Sequence, residues 1–199
     1  MIDPYRMVFV NIIFTLVIFS SSLIYKYIYP RQKINLFYLL ILLIIAASIS
    51  IFRVGTYESG DFNIHIYRSM EFYGSLIEGN LMPSWSPSLN ATYGYPLFIF
   101  NYSLPYYFIS FFHFLGFSFI NSLKLFLFSN MVLTGIFMYI FIQNKFKNNL
   151  ASFVASIFYV FAPYHLIATH FKITIGEILA YTLIPLCFLF VDKFIRIYR

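Results

Sequence analysis

The feature that most constrains this chain is the length of its apolar runs. Residues 7–25, 36–52, 123–142, 150–168 and 178–194 form five stretches almost free of charge. A helix of roughly 20 such residues crosses the hydrocarbon of a bilayer, where every backbone polar group must be satisfied within the helix itself. Charged residues are only 10% of the chain and hydrophobic ones 61%, whereas a soluble domain is about 25% charged. A soluble fold of this length could not bury that much apolar surface. The sequence therefore predicts an all-α integral membrane protein, a single transmembrane domain over residues 1–199 with about five spans. Pro163 and Pro185 lie inside the fourth and fifth runs. A sixth stretch, residues 104–115, is aromatic and too short to span, which suits an interfacial helix.

The net charge of +6 does not point to nucleic acid, because the basic residues stand at the ends of the apolar runs and read as topology signals. Lys26, Arg31 and Lys33 lie between the first two runs. Lys145 and Lys147 lie between the third and fourth, and Lys193, Arg196 and Arg199 close the chain. If residues 104–115 lie flat, all three clusters fall on one side of the membrane. That side is then cytoplasmic. The amino terminus and a large loop, residues 53–122, are expected outside, with a shorter outer loop at residues 164–177. The first run is not a convincing signal peptide, since only Arg6 precedes it and no small-residue cleavage site follows. The lone Cys187 offers neither a disulfide nor a metal cluster.

The outer loop carries the chemistry. A helix is expected from Ser59 or Asp61, acting as N-cap, to about Glu78 before Gly79-Asn80. On it Asp61, His65 and Arg68 are spaced i, i+4, i+7 and share one face, while Glu71 and Glu78 face elsewhere. A carboxylate, an imidazole and a guanidinium would serve as a general base and an anion grip. A plain reading competes, in which Asp61 only caps and Arg68 pairs with it or with lipid phosphate. Beyond this helix, Pro83-Ser-Trp85-Ser-Pro87 and Tyr93-Gly94-Tyr95-Pro96 are turn-rich. Trp85, Tyr93 and Tyr95 either stack on a sugar or anchor the loop at headgroups. Lys124 begins the third run at the outer surface. Lys172 shares the second outer loop with His165 and His170, and any of these could add positive charge. Glu177 stands at the start of the last run, as a second carboxylate or as a residue favoured by the helix dipole. A divalent ion held by Asp61, His65 and Glu177 is the one cofactor the residues suggest, on thin ligand spacing. Asn90-Ala-Thr92 and Asn101-Tyr-Ser103 match the glycosylation pattern, which recurs by chance in Asn-rich chains.

These motifs form an ordered set: Gly60-Asp61-Phe-Asn-Ile-His65-Ile-Tyr-Arg68, Pro83-Ser-Trp85-Ser-Pro87, Tyr93-Gly94-Tyr95-Pro96-Leu-Phe, Leu104-Pro105-Tyr106-Tyr107, Phe161-Ala162-Pro163-Tyr164-His165 and Gly176-Glu177. From Gly55 onward the chain resembles the bacterial membrane proteins known as "6-pyruvoyl-tetrahydropterin synthase-related", a family that looks like a branch of the GT-C polytopic glycosyltransferases. Nothing in it resembles a soluble pterin synthase. The resemblance implies a GT-C-like part over residues 34–199. It also implies transfer of a sugar from a polyprenyl-phosphate carrier on the outer face, with Asp61 at the reaction centre and Glu177 as a second acidic group. It makes His65 and Arg68 part of the substrate-binding motif and implies short juxtamembrane helices in the outer loop. The partners it implies are membrane lipid, the lipid-linked sugar donor and further membrane subunits. Two departures stand out. The span at residues 7–25 is extra, and the chain stops after its fifth run, as a fragment or short form would. The alternatives are a non-catalytic polytopic membrane protein and a lipid or sugar transporter. The first three runs carry no internal charge to mark a transport path, apart from Lys124 at an end.

Overall fold

The computed structural model describes residues 4–197. Arg199, the last member of the third basic cluster, lies outside them. Among the described residues the fold is helical, and its one extended pairing is a single antiparallel bridge between Ser86 and Tyr95. The helices are α1 (Pro4–Ile28), α2 (Leu36–Ser48, continued by a 3-10 turn at Ile49–Phe52), α3 (Phe62–Ile77), α4 (Leu97–Phe100), α5 (Leu104–Phe114), α6 (Phe119–Phe146), α7 (Asn149–Val160), α8 (Pro163–Ile167, continued by a π turn at Ala168–Lys172) and α9 (Ile175–Ile197).

Three of these are long and apolar enough to cross a membrane: α1 over Val8–Ile28, α6 and α9. The run expected over residues 150–168 is instead two helices bent by 48°. Pro163 causes the break, because it lacks an N–H and its ring excludes the preceding helical carbonyl, so it starts α8 as a first-turn residue. Counted together, the bent pair makes a fourth candidate span. Pro185, by contrast, stays inside α9. The second run, Leu36–Phe52, is apolar but shorter than a full span. The Asn35 side chain caps its start by accepting from the Phe37 and Tyr38 N–H groups. The helix expected over 104–115 forms as the 11-residue α5, and α6 begins at Phe119, inside the segment expected to be loop.

α6 is the axis of the bundle. It packs against α2, α5, α7 and α9 through the buried Leu123, Phe126, Leu127 and Met131. Gly135 lets α2 approach, since a Cβ there would collide with the Ile44 side chain. Thr134 and Thr182 join α6 to α9 by a 2.8 Å hydroxyl bond, the kind of polar contact that adds to packing between apolar helices. α1 lies on the outside and is only 6% buried. Its polar anchor is Asn11, which donates to the Ser50 hydroxyl at 2.7 Å and accepts from the Ser50 N–H at 3.0 Å.

The bundle has two unlike ends. At one, Asp192 bridges Lys145 at 3.6 Å and Arg196 at 2.7 Å, and Phe37 near the start of α2 meets Tyr139 of α6. The described members of the basic clusters therefore gather at this end. At the other end α3, α4 and α5 form a cap over the bundle. The Gly60 and Asp61 N–H groups donate to the Phe171 and Lys172 carbonyls at 2.8 and 2.9 Å, tying the start of α3 to the π turn.

Candidate functional site

The site grows from the first turn of α3. Asp61 holds the N-cap position, but its side chain makes no capping bond. The Ser59 hydroxyl accepts from the Phe62 N–H instead, at 3.3 Å. Both expected N-cap candidates are thus used, one for its backbone position and one for its side chain. The Asp61 carboxylate is left half-buried and uncommitted to the helix end. Gly60 explains how the chain comes this close to the π turn, since a Cβ there would lie 2.8 Å from the Lys172 carbonyl oxygen.

One face of α3 carries Asp61, His65 and Arg68, as expected, and α5 closes over it. His65 is 1% exposed and its Nδ1 lies 3.0 Å from the Tyr106 hydroxyl. The Arg68 guanidinium lies close enough to act on the same hydroxyl. The contact with Tyr106 leaves Nε2 as the second ring nitrogen of His65. That nitrogen is buried without a hydrogen bond of full geometry, although the Ile173 backbone lies close enough to favour the protonated ring slightly. Burial, with a smaller push from Arg68 and against the pull of Asp61, drives His65 down to about 4. Burial likewise holds the Tyr106 hydroxyl well above the usual phenol range, against the opposing Arg68. His65 is therefore an internal, uncharged group packed against Tyr106.

Arg68 reaches outward. With Ile64, Tyr67, Leu89, Asn90 and Tyr95 it lines an open cavity of about 540 Å³. Tyr95 is set by paired backbone bonds with Ser86 at 3.0 and 3.2 Å. Asn90, Ala91 and Thr92 all adopt positive φ, a costly run for residues with a Cβ, and it curls the loop around the cavity mouth. Trp85 packs on Gly94, where a Cβ would meet its Nε1 at 2.5 Å, so its role here is to shape the loop. Tyr93 is 84% exposed and is not a cavity wall.

The second carboxylate approaches through Tyr102. Its ring lies against Gly176 so closely that any Cβ there would collide with it, and it stacks nearly parallel to Tyr106. The charges of Asp61, Arg68 and Glu177 are all felt at its hydroxyl. Glu177, in the first turn of α9, accepts from Tyr164 at 2.6 Å and Thr174 at 3.0 Å, with the exposed Lys172 near enough to act on it. Among the described residues, no three His, Cys, Asp or Glu side chains are grouped to hold a metal ion. The expected set of Asp61, His65 and Glu177 does not converge, because His65 turns inward to Tyr106 while Glu177 is held by α8 and the turn before α9.

Lys124 is placed apart. It is 2% exposed and donates to the carbonyls of Arg53 and, at 2.6 Å, Gly55, so it closes the end of the 3-10 turn. His165 is also internal, bonding the Val160 carbonyl at 2.8 Å and stacking on Tyr181. The sequence motifs include Tyr106 but give neither it nor Tyr102 a role. The signal available was a tyrosine beside Pro105 at the start of a short aromatic helix.

Comparison with family models, with curated proteins and with solved structures finds no match to this chain.

Proposed function

We propose that the chain is a five-span membrane glycosyltransferase of GT-C type, which moves a sugar from a polyprenyl-phosphate carrier on the extracytoplasmic face. One observation carries the reading: an uncapped carboxylate, Asp61, on the same helix face as a guanidinium, Arg68, that opens into a cavity with aromatic and amide walls. In the reaction an acceptor hydroxyl attacks the anomeric carbon, and the bond from that carbon to the carrier phosphate breaks. Asp61 takes the hydroxyl proton. Arg68, beside Tyr106, takes the charge that develops on the departing phosphate, for which its planar fork is suited. Tyr95 and Asn90 offer a ring face and an amide to the sugar. The five spans are α1, α2 with its 3-10 turn, α6, the bent α7–α8 pair and α9, with the basic end in the cytoplasm.

The test uses membranes containing the overproduced chain, supplied with radiolabelled polyprenyl-phosphate sugars of several kinds. The wild-type chain should pass label to an acceptor. Asp61→Asn should insert normally and lose roughly 10²–10⁴ of the rate, the usual contribution of a positioned base. Full transfer by Asp61→Asn would remove Asp61 from the chemistry. No transfer by the wild-type chain would leave the non-catalytic reading, and sugar-lipid flux through vesicles without transfer would establish the transporter.

A further inference from the structure

Glu71 lies three residues beyond Arg68 on α3, and the chemistry described so far leaves it out. At that helical spacing a carboxylate is a natural ion-pair partner for an arginine. Among the described residues the ion pairs are those of Asp192, so Glu71 does not neutralise Arg68. Its Oε2 instead accepts from the Ser88 backbone N–H at 3.0 Å, 17 residues further along the chain. A charged acceptor makes such a bond roughly twice as strong as a neutral one. Ser88 opens the tip of the loop whose Leu89 and Asn90 line the Arg68 cavity.

The loop consists of a fixed base and a curled tip. At the base, the Phe98 N–H donates to the Ser84 carbonyl at 3.2 Å, and Ser86 and Tyr95 exchange both backbone bonds. At the tip, the Tyr93 N–H donates to the Asn90 carbonyl at 3.1 Å and the Gly94 N–H to the Leu89 carbonyl at 2.9 Å. These two bonds close the turn that the positive φ angles of Asn90, Ala91 and Thr92 create. They fix the shape of the tip but not its direction. One limb joining tip to base is Pro87-Ser88, and the other is Gly94 at φ +69°, where glycine keeps its conformational freedom. Ser88, Asn90, Ala91, Thr92 and Tyr93 are exposed, so packing reaches the tip through the half-buried Leu89. The bond from Ser88 to Glu71 therefore sets how far the tip stands from α3.

We propose that Glu71 is a positioning residue. It latches the loop tip to α3, holds Leu89 and Asn90 as the loop-side wall of the cavity, and leaves the Arg68 guanidinium unneutralised. Without the latch the tip swings away from the helix and the cavity loses that wall. Arg68 and Tyr95 stay in place, because α3 and the base of the loop hold them. The consequence for substrate rests on the sugar-transfer reading above. There the wall touches the donor equally before and during reaction, so its loss weakens donor binding and leaves the chemical step alone.

Hydrogen exchange and transfer kinetics of the intact chain in mild detergent test it. Glu71→Ala should speed amide exchange at Ser88 roughly tenfold, as the loss of one hydrogen bond does, with α6 and α9 still protected. Its KM for a polyprenyl-phosphate sugar should rise roughly tenfold while kcat stays near the wild-type value. Glu71→Gln keeps an acceptor oxygen and should recover most of both effects. Ser88→Pro removes the donor from the exposed side of the bond, and it should give the same rise in KM if Glu71→Ala fails to fold. Glu78→Ala, at the end of the same helix, should match the wild type. Unchanged exchange at Ser88 in Glu71→Ala, failure of Glu71→Gln to restore it, or a fall in kcat at unchanged KM would overturn the proposal. A wild-type chain that transfers no sugar would remove the sugar-transfer reading instead, and exchange at Ser88, which needs no substrate, would still decide the latch.

Discussion

His65 illustrates what a single buried side chain contributes. Its imidazole is held neutral by burial and sits at about 4 in the folded chain, against 6.5 when exposed. Between those values the unfolded chain binds the extra proton, so folding becomes less favourable as pH falls through that window and is unaffected above it. The displacement corresponds to roughly 3 kcal/mol once both values are passed. Denaturation of the detergent-solubilised chain should therefore show stability dropping from about pH 6.5 to pH 4. His65→Gln should make that part of the profile shallower without abolishing it, since His165 and His170 are buried as well. An unchanged slope in the variant would mean that His65 is solvated in the folded chain. The same burial removes His65 from direct contact with a ligand, although its spacing from Asp61 and Arg68 places all three on one helix face. Helical spacing was legible; the inward turn of the ring depended on Tyr106, which is 41 residues away in the chain.

Among the elements, the junction between α3 and the π turn matters most for the site. Backbone pairing of Gly60 and Asp61 with Phe171 and Lys172 leaves no room for a side chain at position 60. Gly60→Ala should cost about 1–3 kcal/mol, as overpacking of a tight contact does. It should also speed amide hydrogen exchange at positions 60 and 61, with α6 and α9 still protected. Protection unchanged at those two amides would show that the junction is not what holds Asp61. Pro163 makes the π turn reachable by ending α7 and bending the chain by 48°, so that the π turn meets the start of α3. A proline within an apolar run signals a break in principle, yet Pro185 sits in α9 without one. Flanking packing separates the two outcomes, and the residue type does not.

For the whole molecule, the two ends are chemically unlike. One gathers Lys145, Asp192 and Arg196; the other carries the aromatic cap and the candidate site. The cytoplasmic assignment of the basic end predicts a labelling pattern. In a Cys187→Ser background, Glu78→Cys should react with an impermeant thiol reagent on intact cells, and Arg31→Cys only after the membrane is opened. The reverse pattern would invert the protein and place Asp61 in the cytosol.

By itself the sequence determined the helical class, the apolar helices, the short α5 and the shared face of Asp61, His65 and Arg68. All of these follow from hydropathy and helical spacing over neighbouring residues, which are local properties. Only the tertiary structure decided that Lys124 closes the end of the 3-10 turn through carbonyls some 70 residues earlier, that Tyr106 meets the His65 ring, and that Asp61, His65 and Glu177 do not meet as a ligand set. Those outcomes depend on which distant side chains satisfy each buried polar group, and the stretch of chain around each residue carries no record of that choice.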